Sequence, residues 1–135
     1  MTVYRIDHVG VAVTSIDEAL GTYRALGLSE ARREEVPSQK LTAAFLPVGD
    51  SRIELLEPTD GASPIAKFLK KRGEGMHHVC FAVEDLESAL SDLKAKGFRL
   101  IHSTPVPGAD GKRVAFLHPR AARGVLIELS ERAKG

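Results

Sequence analysis

Apolar and polar residues alternate from Val3, and the run ends in the Val-rich VGVAV of residues 9–13, the pattern of a β-strand. Directly after it the period changes. Ile16, Ala19, Leu20 and Tyr23 recur at a 3–4 spacing, an apolar stripe along a helix. Ser15 and Glu18 form a capping box ahead of that stripe, and Gly27 stops it. Three strand-like runs follow, at about 28–36, 41–48 and 52–57. The same order then returns: a strand over 76–83, an N-cap at Asp85, a stripe of Leu86, Ala89, Leu90 and Leu93, and a stop at Gly97. Runs at about 98–103, 112–117 and 124–130 complete the second round. Between the rounds, Ser63-Pro64 is an N-cap and N1 pair that opens a linker helix over about 63–72.

The recurrence extends to residue identity. Residues 8–27 match 78–97 at a constant offset of 70, with identities at His8/His78, Val9/Val79, Ala12/Ala82, Val13/Val83, Ala19/Ala89, Leu20/Leu90, Ala25/Ala95 and Gly27/Gly97. Chance at ordinary composition gives roughly one or two identities in such a stretch. Two copies are too few for a solenoid, so the chain reads as a duplicated βαβββ unit closing on itself. The expectation is an α+β fold in a single domain spanning 1–135, with module one at about 3–60 and module two at about 75–131.

Composition narrows the setting. A 135-residue chain with 43% apolar and 27% charged residues suits one soluble domain. Its net charge of +1 gives no reason to expect nucleic acid or a membrane surface as partner. The single cysteine, Cys80, excludes an intrachain disulfide framework and fits a reducing compartment. No apolar run approaches the ~20 residues that span a bilayer, and no signal peptide is evident at the N-terminus, so a cytoplasmic protein is expected, or else a mature form whose targeting segment was removed. The basic cluster Lys67, Lys70, Lys71 and Arg72 fits either a solvated helix end favoured by the dipole or a surface for an anionic substrate.

Candidate chemistry lies on the repeated strands. Alternation puts His8 on one face with Gly10 and Ala12, and His78 with Cys80 and Ala82. The small neighbours leave room beside each imidazole, while the opposite, bulky faces suit packing against the helices. The last strand of each copy repeats Ile-Glu-Leu, at 53–55 and 127–129, which sets Glu54 and Glu128 between large aliphatic residues. One such Glu reads as a solvated edge; two at equivalent places, each matched to a strand-borne His, point to a site. Curved together, the sheets would bring His8, Glu54, His78 and Glu128 into one shell for a divalent first-row metal, in which two His and one carboxylate leave positions open. His77 faces away from His78 and reads as structural. His102 and His118 have no counterpart in the first copy, and Cys80, with Gly10 at its partner position, reads as a small apolar residue.

These paired units, together with IDHVGVAV, REEVPSQ, FLPVGDSRIELLEPT, SPIAKFLKKRGEGMHHV, GADGKRVAFLHP and GVLIEL in that order, resemble the vicinal-oxygen-chelate superfamily over about residues 5–130. Within it they are most similar to the methylmalonyl-CoA epimerases. The resemblance implies a cupped eight-stranded mixed sheet around a metal cleft, with ligands at His8, His78 and Glu128 and a fourth at Glu54. It implies cobalt first, with manganese, nickel and zinc as alternatives, an acyl-CoA substrate, and commonly a homodimer. The implied reaction interconverts (2R)- and (2S)-methylmalonyl-CoA through an enolate, with Glu128 as first and Glu54 as second candidate for the base. Some members carry a further Glu on an early strand, where this chain has Ala43. The loop Pro107–Lys112 looks like the segment that closes on the substrate, with Gly108, Gly111 and Lys112 as binding candidates. The alternatives are a glyoxalase I-like lyase or another metal enzyme of this fold, and a non-catalytic small-molecule binder.

Overall fold

The structure is a computed structural model that describes residues 1–132. The chain divides into two compact units, one of residues 8–77 and one of residues 1–7 with the chain from His78 on. The division passes through the first strand, β1 (Val3–Ala12), between Asp7 and His8.

The unit of residues 8–77 continues from β1 through α1 (Ile16–Ala25), β2 (Arg32–Val36), β3 (Leu41–Val48), β4 (Ser51–Pro58) and α2 (Pro64–Arg72). Its strands lie in the order β2-β3-β4-β1, with β4 antiparallel to β3 and parallel to β1. The odd-numbered face of β1 and β4 meets α1: Val13, Ile16, Leu20, Ala44, Leu46 and Leu55 form a buried core, and Val11 and Ile53 pack against it. Each Val, Leu or Ile among them contributes about 1.5–3 kcal/mol by leaving water. Ser15 caps α1 as its sequence indicates, accepting from the Glu18 N–H. A second acceptor was not expected: Glu57, at the end of β4, takes the Ile16 N–H at 2.7 Å.

The other unit holds β5 (Gly75–Val83) from His78 on, α3 (Leu86–Ala95), β6 (Val106–Pro107), β7 (Arg113–Leu117) and β8 (Ile127–Glu131). Its order, β5-β8-β7-β6, reproduces that of the first unit strand for strand, including the parallel pairing of β5 with β8. Val83, Leu86, Ala89, Leu90, Leu93, Ala115, Leu117 and Leu129 form its core. Glu131 repeats the part of Glu57 by accepting the Leu86 N–H at 3.1 Å. Gly27 and Gly97 end their helices with φ of +94° and +84°, a region that costs other residues strain.

One expected strand does not form. Residues 98–103 are irregular, with only an isolated bridge between Leu100 and Leu117, and the edge strand is the two-residue β6 instead. The reason lies in the neighbouring segments. Pro105 and Pro107 have no N–H to donate, and the Phe116 N–H goes to the ring of His102, Nδ1 at 3.1 Å, rather than to a strand carbonyl. The start of β8 also falls later than expected, because Arg123 and Gly124 adopt left-handed φ of +57° and +94°. No helix among the described residues is long and apolar enough to cross a membrane.

Candidate metal centre

In the unit of residues 8–77, β1 supplies His8 and β4 supplies Glu54. Gly10 stands directly beside Glu54 in the parallel register, so no side chain fills the space next to the carboxylate. His8 and Glu54 are 5% and 3% exposed, and His8 Nδ1 lies 3.1 Å from Glu54 Oε2. The same oxygen accepts from Arg52, whose Nε and Nη2 are both at 2.8 Å. Phe45 of β3 is the antiparallel partner of Glu54. The Arg52 guanidinium sits 4.1 Å from the centre of its ring, and that of Arg32 sits 4.6 Å away. Each guanidinium thus gains a cation–π interaction over Phe45.

The unit containing His78 repeats the row with different partners. Glu128 lies between Cys80 of β5 and Phe116 of β7 in register. His78 Nε2 is 3.1 Å from Glu128 Oε1, and both residues are buried. Phe116 is flanked by histidines where Phe45 is flanked by arginines: His78 meets it edge-on at 5.3 Å and His102 is tilted on it at 5.9 Å. Leu126 stands two residues before Glu128, where the first copy has Arg52.

The phenylalanines and Arg52 were missed in the sequence, although a signal existed. Ala-Phe-Leu recurs at 44–46 and 115–117, at a spacing close to that of the two histidines. Ala43, where the resemblance raised the question of a further carboxylate, is buried between Glu34 and Leu56 in register. His77 stacks edge-on against Phe68 of α2 at 5.0 Å, a packing role. Cys80 is buried and forms no disulfide. His118 caps a 3₁₀ turn over Pro119–Ala122, its Nδ1 accepting from the Arg120 N–H. Desolvation, then the charges of Arg99 and Arg120, hold its pKa below the usual value, which keeps it a neutral acceptor. Lys67, Lys70, Lys71 and Arg72 are exposed on the last turns of α2.

The loop of residues 107–112 is tied to β1. Lys112 Nζ donates to Asp7 Oδ1 at 2.7 Å, and Arg5 donates to the same oxygen at 2.9 Å. Asp7 is buried and the Lys112 side chain is 12% exposed, so this is a largely desolvated pair rather than a surface one. Gly108 closes the loop on β7: a Cβ there would lie 2.7 Å from Val114 Cγ1. Gly111 has a φ of +68°.

The residues fit a divalent cation. Two donors bound at about 2.1 Å and at right angles lie about 3.0 Å apart, and the 3.1 Å between His78 Nε2 and Glu128 Oε1 has that spacing. Imidazole nitrogen with carboxylate oxygen is a donor set that first-row metals accept. His8, His78 and Glu128, all buried, are the candidate ligands.

Residues 7–116 match the glyoxalase/bleomycin resistance protein/dioxygenase superfamily. The ethylmalonyl-CoA/methylmalonyl-CoA epimerase of Cereibacter sphaeroides is 40% identical over 94% of this chain and 97% of its own length. The crystal structure of methylmalonyl-CoA epimerase from Mycobacterium tuberculosis superposes with a TM-score of 0.93 at 39% identity, covering 98% of this chain and 90% of that one. A Streptomyces coelicolor methylmalonyl-CoA epimerase variant in complex with 2-nitronate-propionyl-CoA gives 0.92 at 37% identity, covering 98% and 96%.

Proposed function

Because the chain belongs to the glyoxalase/bleomycin resistance protein/dioxygenase superfamily, we propose that it is a metal-dependent epimerase that interconverts (2R)- and (2S)-methylmalonyl-CoA. The observation that carries this reading is the buried His–Glu pair at 3.1 Å in each copy of the repeat. Epimerase relatives at 37–40% identity support it over nearly the whole chain. In this reading one divalent ion, cobalt first, draws on His8, His78 and Glu128. Bound there, it supplies a Lewis acid for the thioester carbonyl oxygen, on which negative charge develops.

The chain's own residues then have distinct tasks. Inverting C2 needs a base on one face and a proton donor on the other, and Glu128 would be the first and Glu54 the second candidate for these tasks. Gly10 and Ala12 in one copy, and Cys80 and Ala82 in the other, put only small side chains on the strand face of each histidine. The 107–112 loop is closed by the Gly108 N–H on the Lys112 carbonyl at 2.9 Å, and its part in this reading is to close on the substrate. Lys112 serves through the loop's position, since Asp7 holds its ammonium. A homodimer belongs to the same reading, and the exposed Val3, Tyr4 and Ile6 of β1 give it an apolar surface.

The test is to incubate the cobalt-loaded protein with methylmalonyl-CoA in D₂O and follow deuterium at C2 by NMR. Metal-dependent exchange well above background is the expected result, and its absence overturns the reading. Turnover of the glutathione–methylglyoxal hemithioacetal in its place would assign a glyoxalase.

A further inference from the structure

The hairpin between β6 and β7 has a tip that fixes itself. The Lys112 N–H donates to the Ala109 carbonyl at 3.2 Å, and the Gly108 N–H donates to the Lys112 carbonyl at 2.9 Å. Asp110 and Gly111 both hold positive φ, +63° and +68°, as the central pair of a type I′ turn does. The ladder at its base is short: β6 is two residues in register with β7, and one of them, Pro107, has no N–H to donate. A long-range tie comes from charge. Lys112 Nζ donates to Asp7 Oδ1 at 2.7 Å, 105 positions away in the chain, and Arg5 Nη2 donates to the same oxygen at 2.9 Å. The Asp7 side chain is 2% exposed and that of Lys112 12%, so solvent and salt screen their attraction little.

We infer that Asp7 is a positioning residue: its carboxylate, acting through Lys112, latches the 107–112 hairpin and so governs how tightly the acyl-CoA is held. The inference rests on the epimerase reading, which gives this segment the part of closing on the substrate, and deepens it. The two cations on Asp7 divide the work. Arg5 lies two residues away on the same strand, so its bond is local and holds the carboxylate in place. Lys112 reaches in from another element, and its bond is the one that spans. Loss of the Lys112 charge leaves Asp7 neutralised by Arg5, so β1 keeps its balance and the hairpin alone is released. Loss of the Asp7 charge leaves two cations facing each other and is costlier. Because the tip is held by its own bonds, release is an opening of the hairpin as a unit rather than an unfolding of the sheet. Opening lowers the fraction of chains competent to bind, which weakens apparent affinity by that fraction and leaves the chemistry of the bound complex in place.

Amide hydrogen exchange on the full chain without substrate tests the latch, followed by KM and kcat for methylmalonyl-CoA with the cobalt-loaded protein. Lys112→Met is expected to speed exchange of the Gly108 and Lys112-position amides by about tenfold or more, with those of Ala115 and Leu129 in the core unchanged. Lys112→Arg keeps a donor for Asp7 and restores most of the protection. Arg5→Met leaves the hairpin amides protected, because the spanning bond remains. Asp7→Asn reproduces the loosening, and Lys112→Met adds little on top of it; if Asp7→Asn does not fold, the two Lys112 variants still decide. With substrate, Lys112→Met raises KM about tenfold with kcat within about threefold of wild type, and Lys112→Arg brings KM back. Unchanged hairpin exchange in Lys112→Met, equal loosening in Arg5→Met, or a fall in kcat at unchanged KM overturns the inference. The exchange readout uses no turnover, so a wild-type protein with a latched hairpin that fails to exchange the C2 proton would sink the epimerase reading alone.

Discussion

His77 and His78 differ by one step along a strand, and that step separates a packing residue from a candidate ligand. His77 lies edge-on to Phe68, whereas His78 is buried against Glu128. His78→Ala is therefore expected to abolish cobalt binding, and His77→Ala to leave the stoichiometry at wild-type level, as read by metal analysis after dialysis. Equal loss in both would mean that the assignment of faces is wrong. Gly108 makes a second residue-level case, because a side chain there meets Val114 rather than solvent. Gly108→Ala should destabilise the fold by about 1–3 kcal/mol, the ordinary cost of overpacking. Adding Val114→Ala should recover part of it in urea denaturation. No recovery would show that the strain lies in the backbone instead.

At the scale of elements, each copy uses the end of its last strand to cap its first helix. Glu57 takes the Ile16 N–H and Glu131 the Leu86 N–H, and Arg113 holds the Glu131 carboxylate from the far side at 2.7 Å. A buried carboxylate on an orphan N–H at the positive end of a helix stabilises by charge as well as by hydrogen bonding. Glu131→Ala should cost about 1–3 kcal/mol, and Glu57→Ala a comparable amount, in equilibrium unfolding. A change within a few tenths of a kcal/mol in both would mean that the helix ends do not depend on these strands. The sequence carried the duplication, the helices with their Ser15 and Asp85 caps, and the His–Glu pairs, because each depends on period or on identity at a fixed offset. It did not carry the Glu57 and Glu131 caps, which arise only when β4 and β8 bring their ends beside distant helices. Nor did it carry the loss of a strand at 98–103, since nothing local says that the His102 ring will take the Phe116 N–H. Arg52 escaped for the opposite reason: in a list of residues it is one surface-type cation among nineteen, and only the β3–β4 register sets it over Phe45 beside Glu54.

For the molecule as a whole, the proposed ion needs His8, His78 and Glu128 together, residues far apart in the unfolded chain, which makes metal and fold interdependent. A ligand that binds only the folded chain stabilises it by about 2.7 kcal/mol at a hundred times its dissociation constant. A chain of 135 residues has an unfolding entropy near 0.3 kcal/mol per kelvin on the usual per-residue average, so removing the metal with a chelator should lower Tm by about 10 °C. The informative comparison is between ligand variants. His8→Ala and His78→Ala should each erase the difference in Tm between cobalt-loaded and chelator-treated protein, although the two residues belong to different units. A shift that survives in His8→Ala but vanishes in His78→Ala would mean that one unit holds the ion alone. The duplicated histidines would then be relics of the repeat rather than two halves of one centre.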